Sequence, residues 1–278
     1  MIAEGYGEPE SAEEFAALAQ FINYDGYRAM FESRSLNRKG LLLWMSHPAW
    51  PSMTWQTYDW YFEPTAAYFG CKKASEPVHV QWNPHSGEVE VVNYHAGNLK
   101  GLIVKAMLVN LDGSIAWENE MSLDSNEDTT VRCFAPDEPE SLDKTYFIKL
   151  YLTDAEGVVI SDNFYVNGKE YGNHRAMQQI AKARVKTSFD FEKVENDRGI
   201  QGAEWRGTVI LENRSKVPAV MVRLNVVGKK DGEQILPIFY EDNYFSLMPG
   251  ERKSVSVKWF DADSRGNKPE IIVTGYNL

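Results

Sequence analysis

Four tryptophans lie close together in the first quarter of the chain, and large aromatic rings either fill a core or stack against flat ligands. They are Trp44, Trp50, Trp55 and Trp60. His47 and Trp50 are each followed by a proline, which holds the preceding residue in extended or turn geometry. The loop is therefore expected to have a defined shape, in which a ring can present its face to a sugar.

The alternative is that these rings pack a following helix onto its neighbours. We expect this structural role for Trp55 and Trp60, together with the neighbouring Tyr58 and Tyr61. Ligand contact is the favoured interpretation for Trp44 and Trp50, because Trp44 directly follows an apolar run that resembles a buried strand and the prolines shape the loop around both rings. The residues alone leave both interpretations open.

The five histidines are spread along the chain without the spacing of metal ligands. They are His47, His79, His85, His95 and His174. Each is expected to be a surface or hydrogen-bonded residue. The sequence also lacks the Gly-x-Ser-x-Gly turn of a hydrolase nucleophile, a phosphate-binding loop and a dinucleotide-binding motif. We predict no catalytic set and no metal site within the chain.

Two further short patterns are weak signals of function. The acidic residues at positions 8–14 are interpreted as charge that complements the dipole of a helix start. Asn213-Arg214-Ser215 fits the acceptor pattern for N-glycosylation, but so short a motif predicts little.

Length and composition set the broad class. The chain has 278 residues, of which 43% are hydrophobic, enough for two or three globular domains. Its net charge of -11 disfavours nucleic acid and anionic membranes as partners. The sequence contains no apolar run long enough for a membrane span, and a soluble protein is expected. Cys71 and Cys133 are predicted to be unpaired.

The first region, residues 1–74, alternates helix, short apolar run and helix. Ser11 with Glu14 three residues later is a capping-box pattern that opens a helix with one apolar face. Leu41–Leu43 are predicted to form a parallel strand buried on both faces. Pro64 is expected in the first turn of the next helix. This is the rhythm of an α/β barrel, although 74 residues are far fewer than the roughly 250 that a barrel needs.

From residue 75 the apolar period changes to two. Residues 75–168 are predicted to form one β-sandwich, with Tyr146, Ile148, Leu150 and Leu152 on one strand face and a hairpin turn at Asp112-Gly113. Residues 169–181 are interpreted as a polar connector. Residues 182–278 are predicted to form a second sandwich. Its inward faces are expected to carry Val220, Val222, Leu224, Val226, Val255, Val257 and Trp259.

Two stretches carry a resemblance to a known family. "YGEPESAEEFAALAQFINYDGYRAMFES" and "LLLWMSHPAWPSMTWQTYDWYFEPTAAYFGCKKASEPVHVQWN" resemble the end of the catalytic barrel in glycoside hydrolase family 2. They resemble above all its exo-β-D-glucosaminidase branch, with β-mannosidases as near relatives. After residue 89 the resemblance lies in the order of domains and in "YEDNYFSLMPGE". The fold class implied is the C-terminal piece of an (α/β)8 TIM barrel followed by two immunoglobulin-like β-sandwich domains.

The resemblance implies which site residues the chain carries and which it lacks. Enzymes of this family use two carboxylates about 5 Å apart, and both lie on barrel strands before the matched segment, so no catalytic residue is expected here. Trp44 corresponds to the floor of the subsite for the terminal sugar, and Trp50 to its wall. His47 stands where relatives often carry asparagine. The substrate-binding residues expected are therefore Trp44, Trp50 and His47.

The resulting expectation is a C-terminal fragment of a retaining exo-β-glycosidase that acts on β-linked glucosamine oligosaccharides and is inactive alone. The alternatives are a non-catalytic carbohydrate-binding or scaffolding protein, or a parent with β-mannosidase or β-galactosidase specificity. No metal or organic cofactor is implied. The implied partner is an oligosaccharide, with self-association through the incomplete barrel. The parent family implies a periplasmic or extracellular location.

Overall fold

The protein is described from a computed structural model that covers residues 2–33, 40–53, 55–195 and 202–278. Strands dominate these residues, as the alternating patterns predict. The chain divides into two compact units, residues 1–42 with 70–181 and residues 43–69 with 182–278. Each unit contains one β-sandwich. No helix in the described ranges is long and apolar enough to cross a membrane.

The helices in the described residues are α1 (Ile2–Gly5), α2 (Ala12–Glu32) and α3 (Ala66–Lys73). The N-cap predicted at Ser11 is confirmed, because the Ser11 hydroxyl accepts the amide of Glu14 at 3.1 Å. The Glu14 carboxylate in turn accepts the amide of Glu10 at 2.6 Å. The position predicted for Pro64 is wrong. Helix α3 begins two residues later, because the carbonyl of Thr65 accepts the first helical amides.

The parallel strand predicted at Leu41, Leu42 and Leu43 is not formed. These residues are extended coil outside the sheets, and Leu42 is 98% exposed. A strand buried on both faces needs hydrogen-bonded neighbours and covering helices. The strand pairs in the described part of the chain are antiparallel and lie within the two sandwiches, so this apolar run has no sheet to join.

The first sandwich consists of two antiparallel sheets, ordered β1-β2-β5 and β4-β3-β6-β7. The strands are β1 (Val78–Trp82), β2 (Val89–Asn93), β3 (Leu99–Asn110), β4 (Ile115–Ser125), β5 (Thr129–Phe134), β6 (Thr145–Thr153) and β7 (Val159–Gly168). The predicted inward face of β6 is confirmed, since all four of its residues belong to the buried core. The predicted turn between β3 and β4 is also confirmed, with Gly113 at a φ of 89°.

The second sandwich has sheets ordered β12-β10-β14 and β11-β13-β9-β8. Its strands are β8 (Val185–Val194), β9 (Glu204–Asn213), β10 (Ala219–Gly228), β11 (Phe239–Tyr240), β12 (Phe245–Leu247), β13 (Arg252–Phe260) and β14 (Pro269–Thr274). The connector before it contains a 3-10 turn at Arg175–Gln179. Met177 within this turn is fully buried, so the segment is less polar in its packing than its composition suggests.

The predicted inward face of β10 is only partly right. Val222, Leu224 and Val226 belong to the core cluster of the sandwich together with Ala219, whereas Val220 is buried outside that cluster. The register shifts between Ala219 and Val222, and Met221 has a φ of 53°. An extra residue of this kind reverses the alternation of side chains along a strand. The face predicted for β13 is confirmed.

Asn213 in the sequon is a structural residue. It is fully buried, and its amide nitrogen donates to the carbonyl oxygens of Val217 at 2.9 Å and Leu247 at 3.0 Å. Its side-chain oxygen accepts the amide of Ser215 at 2.9 Å. The side chain therefore satisfies three backbone groups at the turn that follows β9, and its nitrogen is not accessible for glycosylation in the folded protein.

A buried cluster of charged groups joins α2 to the first sandwich within the first unit. His79 on β1 is fully buried, with Nε2 3.1 Å from Glu32 and Nδ1 3.0 Å from Glu76. The Tyr165 hydroxyl donates to Glu32 at 2.8 Å, and the Ser161 hydroxyl donates to Glu76 at 2.6 Å. Both carboxylates are thus hydrogen-bonded to the sheet that contains β7 as well as to the imidazole.

Arg28 makes a second link between the same helix and sheet. Its guanidinium donates to the Asn163 side chain at 2.8 Å and to the carbonyl oxygen of Phe164 at 2.5 Å. It also lies over the ring of Tyr165, 4.0 Å from the centroid. Helix α2 is therefore held against the first sandwich by buried charges as well as by apolar packing.

The two carboxylates determine the protonation of His79. Burial acts to lower the pKa of His79, but its hydrogen bonds to Glu32 and Glu76 outweigh burial and hold the pKa above its ordinary value of 6.5. Burial acts to raise the pKa of both carboxyl groups. Contacts with His79 and with Arg28 or Lys73 overcome it and leave each pKa below its ordinary value of 4.5.

We predict that the first unit is most stable in mildly acidic solution. The stabilisation from His79 is present below pH 6.5 and is lost as the pH rises through the raised pKa of the folded state. The stabilisation from Glu32 and Glu76 is lost as the pH falls below 4.5. Denaturant unfolding between these limits and at about pH 9 should show lower stability at the higher pH.

His79→Gln tests this assignment against His85→Gln, which changes an exposed histidine. The first change should cost about 3 kcal/mol in mildly acidic solution, because it removes the imidazolium that lies between Glu32 and Glu76, and it should flatten the fall above neutrality. A pH dependence that is equal in the two variants would contradict the role given to His79.

A second prediction concerns Asn213. Asn213→Ala should lower the free energy of unfolding of the second unit by about 2 kcal/mol, because three backbone groups lose their partner. Arg214→Ala, one residue along, removes only an exposed pair with Glu212 and should change it by less than about 1 kcal/mol. Equal effects in chemical denaturation would show that the buried amide is not a structural bond.

Candidate functional site

The aromatic loop, defined as residues 43–65 and described except for Thr54, is the most exposed apolar segment of the second unit. Trp44 is 82% exposed, Trp50 68% and Met53 81%. The packing predicted for Trp55 and Trp60 is wrong, since these rings are 57% and 40% exposed. The loop thus presents all four of its tryptophans to solvent.

Backbone pairing gives the loop its shape. The amide of Tyr58 and the hydroxyl of Thr57 both donate to the carbonyl oxygen of Ser46 at 3.0 Å. The amide of Thr65 donates to the carbonyl oxygen of Thr57 at 3.0 Å, and Tyr58 forms an isolated antiparallel bridge with Pro64. The two ends of the loop are therefore tied to its middle, as the prolines led us to expect.

Asp59 organises the turn at the end of the loop. One oxygen of its carboxylate accepts the amides of Tyr61 and Glu63, each at 2.8 Å. The amide of Asp59 donates to the carbonyl oxygen of Glu63 at 3.0 Å, and Phe62 has a φ of 65°. A carboxylate that accepts its own turn's amides acts as a structural group.

His47 lies against this turn. Its ring stacks on Phe62 with centroids 4.8 Å apart and planes at 17°, and it lies 6.1 Å from Trp60 at 23°. Its Nε2 atom is buried and has no hydrogen-bond partner among the residues that the structure describes. His47 is therefore packed into the loop, whereas Trp44 and Trp50 project from it, so the three predicted residues occupy one loop in different environments.

Sequence reasoning missed the residues that hold this loop. Phe62 adopts a left-handed backbone conformation that nothing in its residue type predicts. The Glu63 carboxylate accepts a hydrogen bond from Gln234 at 3.1 Å and pairs with Arg223. These partners are more than 150 positions away along the chain, and no local pattern could have linked them.

The described residues contain no group of three or more His, Cys, Asp or Glu side chains that could hold a metal ion. Neither Cys71 nor Cys133 forms a disulfide bond, as predicted. Burial raises the pKa of Cys133 to about 11, so this thiol is protonated and unreactive near neutrality. The chemistry that the loop offers is aromatic contact.

Comparison with known proteins identifies what the chain is similar to. A family described as "Exo-beta-D-glucosaminidase Ig-fold domain" matches residues 163–278. An exo-β-D-glucosaminidase of Arthroderma benhamiae is 30% identical over 98% of this chain, which spans 32% of that protein. The chain therefore spans about a third of the length of the curated relatives it matches.

Solved structures match over the whole chain. The exo-chitosanase CsxA of Amycolatopsis orientalis superimposes with a TM-score of 0.91 at 28% identity, covering 100% of this chain and 35% of that one. A variant of the same enzyme in complex with PNP-β-D-glucosamine gives a TM-score of 0.88, at the same identity and coverage. The resemblance to exo-β-D-glucosaminidases that the sequence indicates is confirmed.

We predict that the exposed tryptophans contribute little to folding. Trp44→Ala and Trp50→Ala should each change the free energy of unfolding by less than about 0.5 kcal/mol. The matched control is Trp259→Ala, which removes a ring that is 1% exposed and bonded through Nε1 to Ser264, and should cost about 4 kcal/mol. A large loss of stability on changing Trp44 would indicate a packing role for this residue.

Proposed function

We propose that this chain, whose residues 163–278 match the Ig-fold domain family of the exo-β-D-glucosaminidases, is the C-terminal part of a retaining exo-β-glycosidase that removes β-linked glucosamine from oligosaccharides. The observation that carries the proposal is the match of the exo-chitosanase over the full chain, the aromatic loop included. In this proposal residues 1–74 are the end of a catalytic TIM barrel.

The aromatic loop supports a contact with sugar. Trp44 and Trp50 present large apolar faces on a segment whose backbone is fixed by its own hydrogen bonds. An indole face packs on the apolar face of a pyranose, and it also attracts a protonated amine such as that of glucosamine. We assign Trp44 to the floor and Trp50 to the wall of the site for the terminal sugar. His47 supports the loop by stacking on Phe62.

Chemistry is assigned to residues outside this chain. A retaining glycosidase needs one carboxyl group as acid and base and a second as nucleophile, about 5 Å apart. The aromatic loop contains two carboxylates, Asp59 and Glu63. The first accepts the amides of its turn and the second is paired with Arg223 and Gln234. Neither is available as an acid or a nucleophile, so the chain alone is expected to be inactive.

The rest of the proposal concerns partners and location. The partner is an oligosaccharide, and no organic cofactor or metal ion takes part. The exposed rings of the loop and the apolar run before it form surface that a complete barrel would cover, so we expect the separate chain to self-associate. A parent that degrades a polysaccharide acts outside the cytoplasm, which places the chain in the periplasm or outside the cell.

The test is hydrolysis of 4-nitrophenyl β-D-glucosaminide and β-D-mannoside by the chain and by a form extended upstream to complete the barrel. Cleavage of the glucosaminide by the extended form alone is expected. Trp44→Ala in that form should lower kcat/KM by about 100-fold, because both the bound sugar and its transition state lose the indole face.

Cleavage by the 278-residue chain itself, abolished by changing a carboxylate within it, would contradict the proposal. A preference for the mannoside would show that the proposed sugar is wrong, and the proposed type of reaction would stand. If neither form cleaves a glycoside while the chain still binds glycans, a carbohydrate-binding or scaffolding function would replace the one proposed.

A further inference from the structure

We propose that the second sandwich positions the aromatic loop for sugar binding through the Glu63 cluster, defined as Glu63, Arg223, Gln234 and Tyr244. These four residues are positioning residues that act through the loop and do not touch the sugar. The inference rests on the proposed function. It assigns a positioning role to the second sandwich, to which we assign no catalytic group.

Glu63 is the point at which the loop meets the sandwich. It directly follows Phe62, on which His47 stacks, and its amide belongs to the turn that Asp59 organises. Its carboxylate uses one oxygen for Arg223 on β10 and the other for Gln234, at 3.1 Å. A carboxylate that binds two groups of the sandwich fixes the position and orientation of the adjacent turn relative to that sandwich.

The pairing with Glu63 is the main interaction of the Arg223 side chain. Its guanidinium is largely buried, and it lies 6.0 Å from the ring centroid of Tyr244. Burial acts to lower the pKa of Arg223, and the neighbouring Tyr244 and Glu63 outweigh it, so the pKa stays above its ordinary value. Loss of Glu63 would leave a partly buried cation without its counter-charge, which makes the pair sensitive to substitution at either end.

Tyr244 connects the sandwich to the loop by a second route. Asn243 exchanges two hydrogen bonds with the backbone of Leu224, at 2.7 and 3.0 Å, and so fixes this stretch to the middle of β10. Tyr244, which follows with a φ of 57°, lies 5.9 Å from the ring of Phe69 in α3. From there Tyr68 connects Phe69 to Tyr58, whose backbone pairs with the loop ends.

Ion pair and ring contacts thus join the sandwich to both sides of the turn. The same arrangement gives a structural role to "YEDNYF", residues 240–245, which is part of the family resemblance seen in the sequence. In this stretch Asn243 binds the backbone of Leu224 in β10. Tyr244 has a left-handed backbone conformation, and its ring contacts Phe69 in α3. A site that must bind a sugar with stacked rings needs such support, since a freely moving ring loses entropy on binding.

The experiment is hydrogen exchange by mass spectrometry on the full 278-residue chain, with Arg223→Met and Glu63→Gln as test variants. Both should raise exchange of the bonded amides in residues 57–65 by about ten-fold, because the turn opens more often without its anchor. Amides in β9 and β13 should exchange as in the unchanged protein. Arg214→Met is the matched control, since it breaks an exposed pair on the same sandwich and should leave the loop unaffected.

Unchanged exchange at residues 57–65 in both variants would overturn the proposal. Equal acceleration in the loop and in β9 would also overturn it, because the pair would then be a general stabiliser of the sandwich. These readouts need no sugar, so they stand whether or not the protein proves to be a glucosaminidase.

The link to sugar binding is read in the upstream-extended form. Arg223→Met should raise KM for the glucosaminide by about ten-fold with kcat within about two-fold, because a misplaced ring weakens ground-state and transition-state binding alike. Arg223→Lys, which keeps the charge, should recover part of this loss. An unchanged KM beside accelerated loop exchange would overturn the positioning role. Absence of activity in the unsubstituted extended form would instead reject the proposed function.

Discussion

The aromatic loop depends on one charged contact with the second sandwich, the pairing of Glu63 with Arg223 beside Tyr244. Apolar burial forms the core of that sandwich, but the aromatic loop buries few of its own rings and cannot be held by a core. It is fixed by directional bonds instead. Backbone pairing closes its ends, Asp59 shapes its turn, and the carboxylate that follows ties the turn to β10. These polar contacts shape the loop on which the exposed tryptophans lie.

In the first unit, buried charged groups attach helix α2 to the sandwich. Helix α2 buries polar as well as apolar residues, and its Arg28 and Glu32 face the first sandwich. They are accepted in the interior because His79, Glu76 and Asn163 satisfy them. Such a network contributes less to stability than an apolar core of the same volume, but it admits one arrangement of helix and sheet. In both units, polar bonds attach the flanking segment to its sandwich.

Most of the fold could be predicted from the sequence, because the alternation of apolar residues fixes which face of a strand is buried. The prediction failed where local geometry departs from that period. The bulge at Met221 depends on a positive φ in a residue type that rarely adopts one, and Leu41–Leu43 resemble a strand but have no partner strand. The packing expected of Trp55 and Trp60 is wrong, but the exposure of Trp44 and Trp50 could be predicted from the sequence. Their support could not, since it joins residue 63 to residues 223 and 234.

We assign sugar contact to the loop tryptophans and not to the sandwiches. The most direct measurement is a titration of the chain with a glucosamine oligosaccharide, followed through the indole N–H signals of its eight tryptophans by NMR. We expect chemical-shift changes at Trp44 and Trp50. The signals of Trp205 and Trp259, whose indole N–H groups are hydrogen-bonded to Asp261 and Ser264, should stay unchanged. Shifts confined to the sandwich tryptophans would contradict it.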